Sequence, residues 1–238
     1  MTPTIAGVLF DKDGTLFDFD ATWTAWAGET IRRYAGGDDA LAQAFAEALG
    51  YDLHRSAFFP TSSVIAGTVD EQAEAIAPLL PGRARADIAR ELNTLAANAI
   101  QQEVVPLPAF LAGLKARGLK LGVATNDAES SAIAHLSSVQ ALDPLDFVAG
   151  YDSGFGHKPG PGPLLAFCDH VGLAAAACVM VGDSTHDLLA GRAAGMRTVA
   201  VLTGPATADT LAPHADVVLP SIAALPDWLS AQAPQSFG

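Results

Sequence analysis

Short apolar runs alternate with helical segments along much of the chain. The first run, residues 5–10, ends on a charged turn that contains glycine, as a buried strand does when polar residues follow its carboxyl end. Similar runs recur at residues 119–124, 178–181, 198–202 and 216–219, and helical stretches lie between them at residues 107–117, 163–171 and 187–194. Strands that alternate with helices predict a parallel sheet covered by helices on both faces.

The alternation is interrupted once, between residues 17 and 103. No strand pattern occurs there, and apolar residues recur at helical spacing in stripes that we expect to be packing core. The stripes are Trp23, Trp26 and the Ile31/Tyr34 pair; Leu41, Phe45 and Leu49; and Ile88, Leu92, Leu95 and Ala99. The sequence therefore predicts an α/β fold. Residues 1–16 and 104–238 form a Rossmann-like parallel-sheet core, and residues 17–103 form an inserted, all-helical cap lobe.

Composition and charge narrow the range of partners. The 238 residues carry a net charge of −13, which argues against nucleic acid or an anionic membrane, because both need basic patches. No apolar run approaches the ~20 residues that span a bilayer, and the N-terminus lacks the basic region of a signal peptide. Two cysteines cannot build a disulfide framework, so we expect a cytoplasmic protein. A metal ion, a lysine and backbone N–H groups could still make a small site attractive to an anion.

Polar residues follow the carboxyl ends of the predicted strands, where open parallel sheets bind their ligands. Asp11 and Asp13 follow the first strand, Thr125 and Asn126 follow the second, and Asp183 follows the third. Aspartates brought together at one sheet edge would repel one another, and a divalent cation would resolve that repulsion. Aspartate oxygens and water are the ligands that suit Mg²⁺, so the sequence predicts a magnesium site.

Four short motifs, in order along the chain, resemble those of the haloacid dehalogenase-like superfamily. They are Asp11-x-Asp13-Gly14-Thr15-Leu16, Thr125-Asn126, Lys158-Pro159-x-Pro161 and Gly182-Asp183-x-x-x-Asp187. One such motif would be weak evidence, whereas four in this order, three of them directly after predicted strands, are specific. The resemblance extends over nearly the whole chain.

The resemblance implies a role for the residues of the first two motifs. Asp11 would be the nucleophile that forms an aspartyl-phosphate. Asp13 would protonate the leaving alcohol and then activate water for the second step. Thr125 and Asn126 would hold the phosphate oxygens.

The last two motifs supply the remaining charges. Lys158 would neutralise the phosphate, and Mg²⁺ would bind Asp183 together with Asp11 and the backbone carbonyl of Asp13. Asp187 would bind the metal directly or through water, or would orient Lys158. The pattern Ser184-x-x-Asp187 also fits a helix capping box.

Within the superfamily the chain looks most like the phosphoglycolate phosphatases, both in the position of its insertion and in residues 182–196. This resemblance implies a Mg²⁺-dependent phosphatase for a small phosphomonoester, phosphoglycolate or a similar phosphorylated metabolite, acting as a monomer or homodimer. Asp13 argues against the dehalogenases, and the lack of any lysine in residues 17–103 argues against the phosphonate-cleaving members. A phosphosugar mutase and a non-catalytic phospholigand-binding protein stay open as alternatives.

Three features are specific to this chain. Lys12 stands where the family usually has an apolar or aromatic residue, and its side chain is expected to alternate away from those of Asp11 and Asp13. Arg55, in a polar loop of the predicted cap, is a candidate for binding a substrate carboxylate, because an arginine can bind one in bidentate fashion. The polar residues 61–63 and His157 are further candidates for contact with the substrate.

Overall fold

The computed structural model describes residues 4–232, and its centre is a six-stranded parallel sheet. The strands of this sheet are β1 Gly7–Phe10, β4 Lys120–Ala124, β5 Phe147–Ala149, β6 Cys178–Gly182, β7 Arg197–Val201 and β8 Val217–Leu219. Their order across the sheet is β5-β4-β1-β6-β7-β8. The α/β prediction is confirmed. All five strands expected from the apolar runs are present, and β5, which has only three residues, is the one strand of this sheet that the pattern missed.

Strand β1 lies in the middle of the sheet because every one of its residues can be buried. Val8 and Phe10 point to one face and belong to the main apolar cluster with Leu111, whereas Leu9 points to the other face and packs with Phe167. Apolar residues on both sides of the strand are what a sheet covered on both faces requires.

Six helices cover the two faces of the sheet. They are α6 Leu107–Ala116, α7 Glu129–Ser138, α8 Gly162–Val171, α9 Thr185–Ala194, α10 Ala208–Leu211 and α11 Leu225–Gln232. Phe10, the last residue of β1, lies opposite Val123 of β4 and Val181 of β6. The carboxyl ends of the three central strands therefore meet at one edge of the sheet.

Between β1 and β4 the chain forms five helices, here called the helical insertion: α1 Phe19–Ala35, α2 Asp39–Leu49, α3 Ser63–Ala66, α4 Val69–Ile76 and α5 Arg85–Ala97. Their predicted stripes form a separate apolar cluster, in which Phe45, Ile88 and Leu92 are fully buried. Asp18 caps the start of α1 by accepting a hydrogen bond from the backbone N–H of Ala21.

The expectation that the insertion would contain helices alone was wrong in one detail. Strands β2, Tyr51–Asp52, and β3, Ala57–Phe58, pair in an antiparallel hairpin. Asp52 closes its turn by accepting hydrogen bonds from the backbone N–H groups of His54 and Arg55. Strands of two residues are too short to show an alternating pattern, which explains why the sequence did not reveal them. Within residues 4–232, no helix combines the length and the apolarity needed to cross a membrane.

Candidate active site

A small cavity of about 40 Å³ lies at the carboxyl edge of the sheet, facing the helical insertion. The core residues that line it are Asp11, Asp13, Thr125, Asn126, Asp127, Lys158, Ser184, His186 and Asp187. From the insertion it receives Trp23, Gln72, Val69 and residues 64–67. The structure thus brings residues of all four motifs to one place.

Lys158 lies between two carboxylates. Its Nζ atom donates hydrogen bonds to Oδ1 of Asp11 and Oδ1 of Asp187, both at 2.6 Å, and its side chain is only 4% exposed. Burial disfavours the ammonium, but the two carboxylates outweigh that cost and raise the pKa of Lys158. The lysine is therefore a fixed positive charge beside the Asp11 carboxylate.

Three buried aspartates form a cluster around this lysine. One carboxylate oxygen from each of Asp11, Asp183 and Asp187 lies within 4.8 Å of the others. Burial raises the pKa of Asp11 to about 7 against the opposing charge of Lys158, with Asp187 and Asp13 raising it further. Burial, Asp11 and Asp187 likewise raise the pKa of Asp183. When ionised, three buried carboxylates carry more negative charge than one ammonium can offset. A divalent cation would supply the missing positive charge, and carboxylate oxygens are suitable ligands for it.

Asp187 uses both of its oxygens within the protein. Oδ1 accepts the hydrogen bond from Lys158, and Oδ2 accepts hydrogen bonds from the backbone N–H and the hydroxyl of Ser184. The capping box at the start of α9 is therefore present. Of the three roles that the sequence left open for Asp187, orientation of Lys158 is the one that these contacts favour.

Two glycines allow loops to pass close to Asp183. Gly14 has a φ of 76°, and a Cβ atom at either Gly14 or Gly204 would collide with the Asp183 carboxylate. The hydroxyl of Thr203 donates a 2.6 Å hydrogen bond to the carbonyl of Gly14, which ties the two loops together. Glycine at both positions thus leaves space for the carboxylate.

Thr125 and Asn126 both line the cavity, but their side chains have different contacts. The Thr125 hydroxyl accepts a hydrogen bond from the backbone N–H of Asp127, and its own proton can be donated into the cavity. The amide nitrogen of Asn126 donates to the carbonyls of Ala66 and Lys158, and its oxygen accepts from the N–H of Lys158. The Asn126 side chain therefore links the loop that contains Lys158, here called the lysine loop, to the helical insertion, and its amide is not free to hold phosphate.

Lys12 does not line the cavity, but its ammonium contacts Asp13, contrary to the expectation that its side chain would alternate away from that residue. The side chain is completely buried, and Nζ lies 2.7 Å from Oδ1 and 2.6 Å from Oδ2 of Asp13. Nζ also lies 3.0 Å from Nδ1 of His135 and 3.4 Å from Oδ2 of Asp127. Strand alternation predicts the direction in which a side chain leaves the backbone. It does not predict where the end of a flexible four-carbon side chain lies, and the Lys12 side chain curves back to its neighbour Asp13.

Burial and charge shift the pKa values around Lys12. Burial disfavours the ammonium, but Asp13 and Asp127 outweigh it and raise the pKa of Lys12. Burial raises the pKa of Asp127 to about 6 against the opposing charge of Lys12. Burial, with a contribution from Lys12, lowers the pKa of His135 to about 4. The imidazole is therefore neutral at neutral pH.

The structure does not bring two of the predicted substrate residues to the cavity. The Arg55 side chain is 83% exposed and lies 3.8 Å from an oxygen of Asp52 within the hairpin. His157 is exposed and does not line the cavity, and its Nδ1 lies 3.1 Å from the carbonyl of Lys158. Residues 61–63 line a larger groove of about 700 Å³, which shares Ser184 and His186 with the cavity and so adjoins it.

Two residues of the insertion contribute polar atoms that the sequence gave no reason to select. Gln72 and Trp23 line the cavity and are 5% and 6% exposed. Oε1 of Gln72 and Nε1 of Trp23 are buried and have no hydrogen-bond partner in the described part of the chain. Unpartnered buried polar atoms are unfavourable, which makes both atoms candidates for contact with a ligand.

Comparison with known proteins relates this site to one family. The model of the family described as haloacid dehalogenase-like hydrolase matches residues 8–201. A phosphoglycolate phosphatase of Rhodospirillum rubrum is 38% identical over 126 residues, which are 53% of this chain and 52% of that protein. The chain spans about half the length or less of several curated relatives it matches. A phosphoglycolate phosphatase of Chromobacterium violaceum is 31% identical over 94% of this chain and 96% of its own length.

Solved structures share the fold. A crystal structure of a predicted phosphoglycolate phosphatase from Haemophilus somnus superposes with a TM-score of 0.72. The match covers 94% of this chain and 97% of that one at 18% sequence identity. The parallel sheet and its helical insertion are thus an arrangement already seen in experimental structures.

Proposed function

The chain belongs to the haloacid dehalogenase-like hydrolase family, and from this membership and its site we propose that it is a Mg²⁺-dependent phosphatase. Its substrate is a small phosphomonoester, and the reaction proceeds through an aspartyl-phosphate on Asp11. The observation that carries the proposal is the position of Asp11, directly after the central strand and 2.6 Å from the Lys158 ammonium, in the same cavity as Asp13.

Asp11 and Asp13 divide the chemistry between them. A carboxylate oxygen of Asp11 attacks phosphorus while the bond from phosphorus to the ester oxygen breaks, and Asp13 gives its proton to the departing alcohol. Asp13 then takes a proton from water, whose oxygen attacks the phosphorus of the aspartyl-phosphate. This releases inorganic phosphate and restores the Asp11 carboxylate.

Lys158 and Thr125 stabilise the charge on the phosphoryl group. The Lys158 ammonium is held by Asp11 and Asp187 before any substrate arrives, so little reorganisation is needed during transfer. The Thr125 hydroxyl can donate a hydrogen bond into the cavity. Asn126 acts through the lysine loop, whose backbone it holds by two hydrogen bonds.

The aspartate cluster would hold the metal. Asp11 and Asp183, with the backbone carbonyl of Asp13, would be its protein ligands, and Asp187 would orient Lys158. When bound, Mg²⁺ supplies positive charge that offsets the charge developing on the phosphoryl oxygens. A site with few protein ligands, all of them oxygen atoms, and with room for water suits Mg²⁺. A metal that prefers sulfur or imidazole ligands would find neither in this set.

The helical insertion is proposed to act as a cap that selects the leaving group. In this proposal residues 17–103 close over a catalytic core made of residues 1–16 and 104–238, and exclude water from the cavity. Gln72 and Trp23 replace Arg55 as the candidates for contact with the leaving group, since they line the cavity and Arg55 does not. The named activity of the relatives makes phosphoglycolate the first substrate to test.

The proposed setting is the cytoplasm. Cys168 and Cys178 are buried free thiols whose sulfur atoms lie 3.9 Å apart, a pair that a reducing compartment would keep reduced. Size-exclusion chromatography with light scattering would decide between a monomer and a homodimer.

Phosphate release from a panel of small phosphomonoesters, including phosphoglycolate and glycerol phosphate, tests the function. We expect release with Mg²⁺, loss on adding EDTA, and recovery when Mg²⁺ is restored in excess. Incubation with a hexose 1-phosphate tests the mutase alternative, for which the product would be a 6-phosphate rather than free phosphate. Binding of Mg²⁺ with no turnover of any ester would instead favour a non-catalytic phospholigand-binding protein.

A further inference from the structure

Lys12 is a buried charge that the proposed chemistry does not use. Its side chain is fully buried, and its ammonium is in contact with both carboxylate oxygens of Asp13. Asp13 is 14% exposed at its side chain and lines the cavity. Lys12 thus reaches Asp13 from the protein interior, while the cavity lies on the other side of that carboxylate.

The surroundings of Lys12 fix the position of its ammonium. Nε2 of His135 lies 2.7 Å from the carbonyl oxygen of Ala96, which can only accept, so Nε2 carries the proton. Nδ1 of the neutral ring is then an acceptor, 3.0 Å from Nζ of Lys12. Asp127 adds an ion pair at 3.4 Å without a hydrogen bond. The ammonium is therefore held from several directions.

These contacts join the core to the helical insertion. His135 belongs to α7 of the core, whereas Ala96 belongs to α5 of the insertion. The ring of Trp23, in α1, lies 5.5 Å from Nζ of Lys12, within the range of a cation–π contact. The position of Lys12 therefore depends on groups from both parts of the chain.

From these contacts we propose that Lys12 is a positioning residue for the proton-transfer step: it fixes the Asp13 carboxyl group in the orientation that reaches the leaving-group oxygen. Without the ammonium, the Asp13 carboxyl group would lose its only charged partner among the described residues and would be free to rotate in the partly open site. A displacement of about 1 Å at a catalytic group is enough to slow a reaction greatly. The proposal rests on the proposed acid and base role of Asp13.

Dependence on the leaving group separates positioning of Asp13 from a purely structural role. A poor leaving group, such as an alkyl alcohol, needs a proton from Asp13, whereas 4-nitrophenolate leaves without one. The measurement is the single-turnover rate of phosphoenzyme formation with an alkyl phosphate and with 4-nitrophenyl phosphate. It compares the parent protein with Lys12→Met, which keeps the length of the side chain and removes its charge, and with Asp13→Asn.

In Lys12→Met, we expect the rate of phosphoenzyme formation to fall about tenfold or more further with the alkyl ester than with 4-nitrophenyl phosphate. Asp13→Asn should show the same selective loss to a greater extent. Lys120→Met, a surface variant near Asp146 with a side chain 48% exposed, should change neither rate. Suppose that Asp13→Asn is selective, but Lys12→Met slows both substrates equally or slows neither. That result would overturn the inference about Lys12 and leave the proposed role of Asp13 intact. If Asp13→Asn is not selective either, the proposed role of Asp13 fails and the inference with it.

A second variant keeps the test decisive if Lys12→Met does not fold. The double variant Lys12→Met/Asp127→Asn also removes the carboxylate that would otherwise be left buried beside an apolar side chain. The new amide side chain would retain an oxygen to accept the hydrogen bond that Asp127 now accepts from the N–H of Ala128. The same selective loss on the alkyl ester is expected, and its absence in the folded double variant would overturn the inference.

Discussion

Nζ of Lys158 lies 2.6 Å from Oδ1 of Asp11, although 147 positions separate the two residues in the sequence. The lysine loop is held in place by Asn126, and its ammonium is held by Asp187 at the start of α9. The position of the Lys158 ammonium therefore depends on residues that follow three different strands, Asp11 after β1, Asn126 after β4 and Asp187 after β6. This arrangement can be tested by stability measurements, without an activity assay.

Lys158→Met removes that charge and leaves Asp11 and Asp187 buried without their partner. Removing one partner of a buried ion pair costs about 3–5 kcal/mol. We therefore expect urea denaturation near pH 8 to show a decrease of this order in the free energy of unfolding. The loss should be smaller near pH 5, because the pKa of Asp11 is raised to about 7 and its protonated carboxyl group needs no cation. Lys120→Met, on the surface, is the matched control. Unchanged stability at both pH values would mean that Lys158 is not paired in solution.

The effect of Mg²⁺ on stability should grow with pH. The pKa of Asp11 is raised from 3.8 to about 7, chiefly by burial. Between these values the folded protein keeps a proton that the unfolded chain has lost, so the stability of the metal-free protein falls as pH rises from about 4 to about 7. Mg²⁺ binds the ionised form, and at about 100 times its Kd it would add about 2.7 kcal/mol.

Thermal melting with and without Mg²⁺ measures this effect. The rise in Tm should be larger near pH 8 than near pH 5, and Asp183→Asn should abolish it. A rise that is the same at both pH values, or that survives in Asp183→Asn, would place the metal outside the aspartate cluster.

His135 should make the protein less stable in mild acid. Burial, with a contribution from Lys12, lowers the pKa of His135 from 6.5 to about 4. The unfolded chain then binds a proton that the folded protein does not, so this contribution to stability is complete above about pH 6.5 and is lost as pH falls towards 4. We expect about 2 kcal/mol of it to be lost between about pH 7 and about pH 5.

The comparison is between the parent protein and His135→Asn, by urea denaturation across that range. Contributions from Asp11 and Asp183 are common to both proteins and cancel in the difference. Parallel stability profiles would show that His135 is not held in the buried, neutral state that its contacts with Lys12 and Ala96 require.

Gln72 should influence the choice of leaving group. Its Oε1 atom is buried without a partner in the described part of the chain, so a substrate hydroxyl could donate to it, and loss of that hydrogen bond in Gln72→Leu should lower kcat/KM about tenfold for a hydroxylated ester. Stability should be unchanged or higher, because an unpaired polar atom is removed. Arg55→Ala, at a side chain 83% exposed, should leave kcat/KM within about twofold. If kcat/KM instead falls in Arg55→Ala and is unchanged in Gln72→Leu, Arg55 rather than Gln72 would be the residue that contacts the substrate.

Much of the site could be predicted because strand ends converge in a parallel sheet. Asp11, Thr125 and Asp183 follow strands that are readily recognised as apolar runs, so their meeting at one edge follows from the fold class. Lys158 follows no strand of this kind, and only the resemblance of its motif indicated that it would join them.

The parts that could not be predicted depend on side-chain paths and on contacts between distant elements. Lys12 lies in the best-recognised motif, yet its target depends on His135, which comes 123 positions later. The amide of Asn126 is committed to Ala66 and Lys158, which no local pattern indicates. Arg55 was selected for its chemistry, but the hairpin turn directs it to solvent.

Trapping of a phosphoenzyme tests the central claim most directly. Asp13→Asn, mixed with 4-nitrophenyl phosphate and Mg²⁺ and quenched in acid, should carry about one phosphoryl group per chain, because attack can proceed while attack by water lacks its base. Peptide mapping by mass spectrometry should place the group on Asp11, and the Asp11→Asn/Asp13→Asn double variant should carry none. Phosphate release by the parent protein with no phosphorylation of Asp11 in this variant, or turnover by Asp11→Asn at the parent rate, would contradict the account.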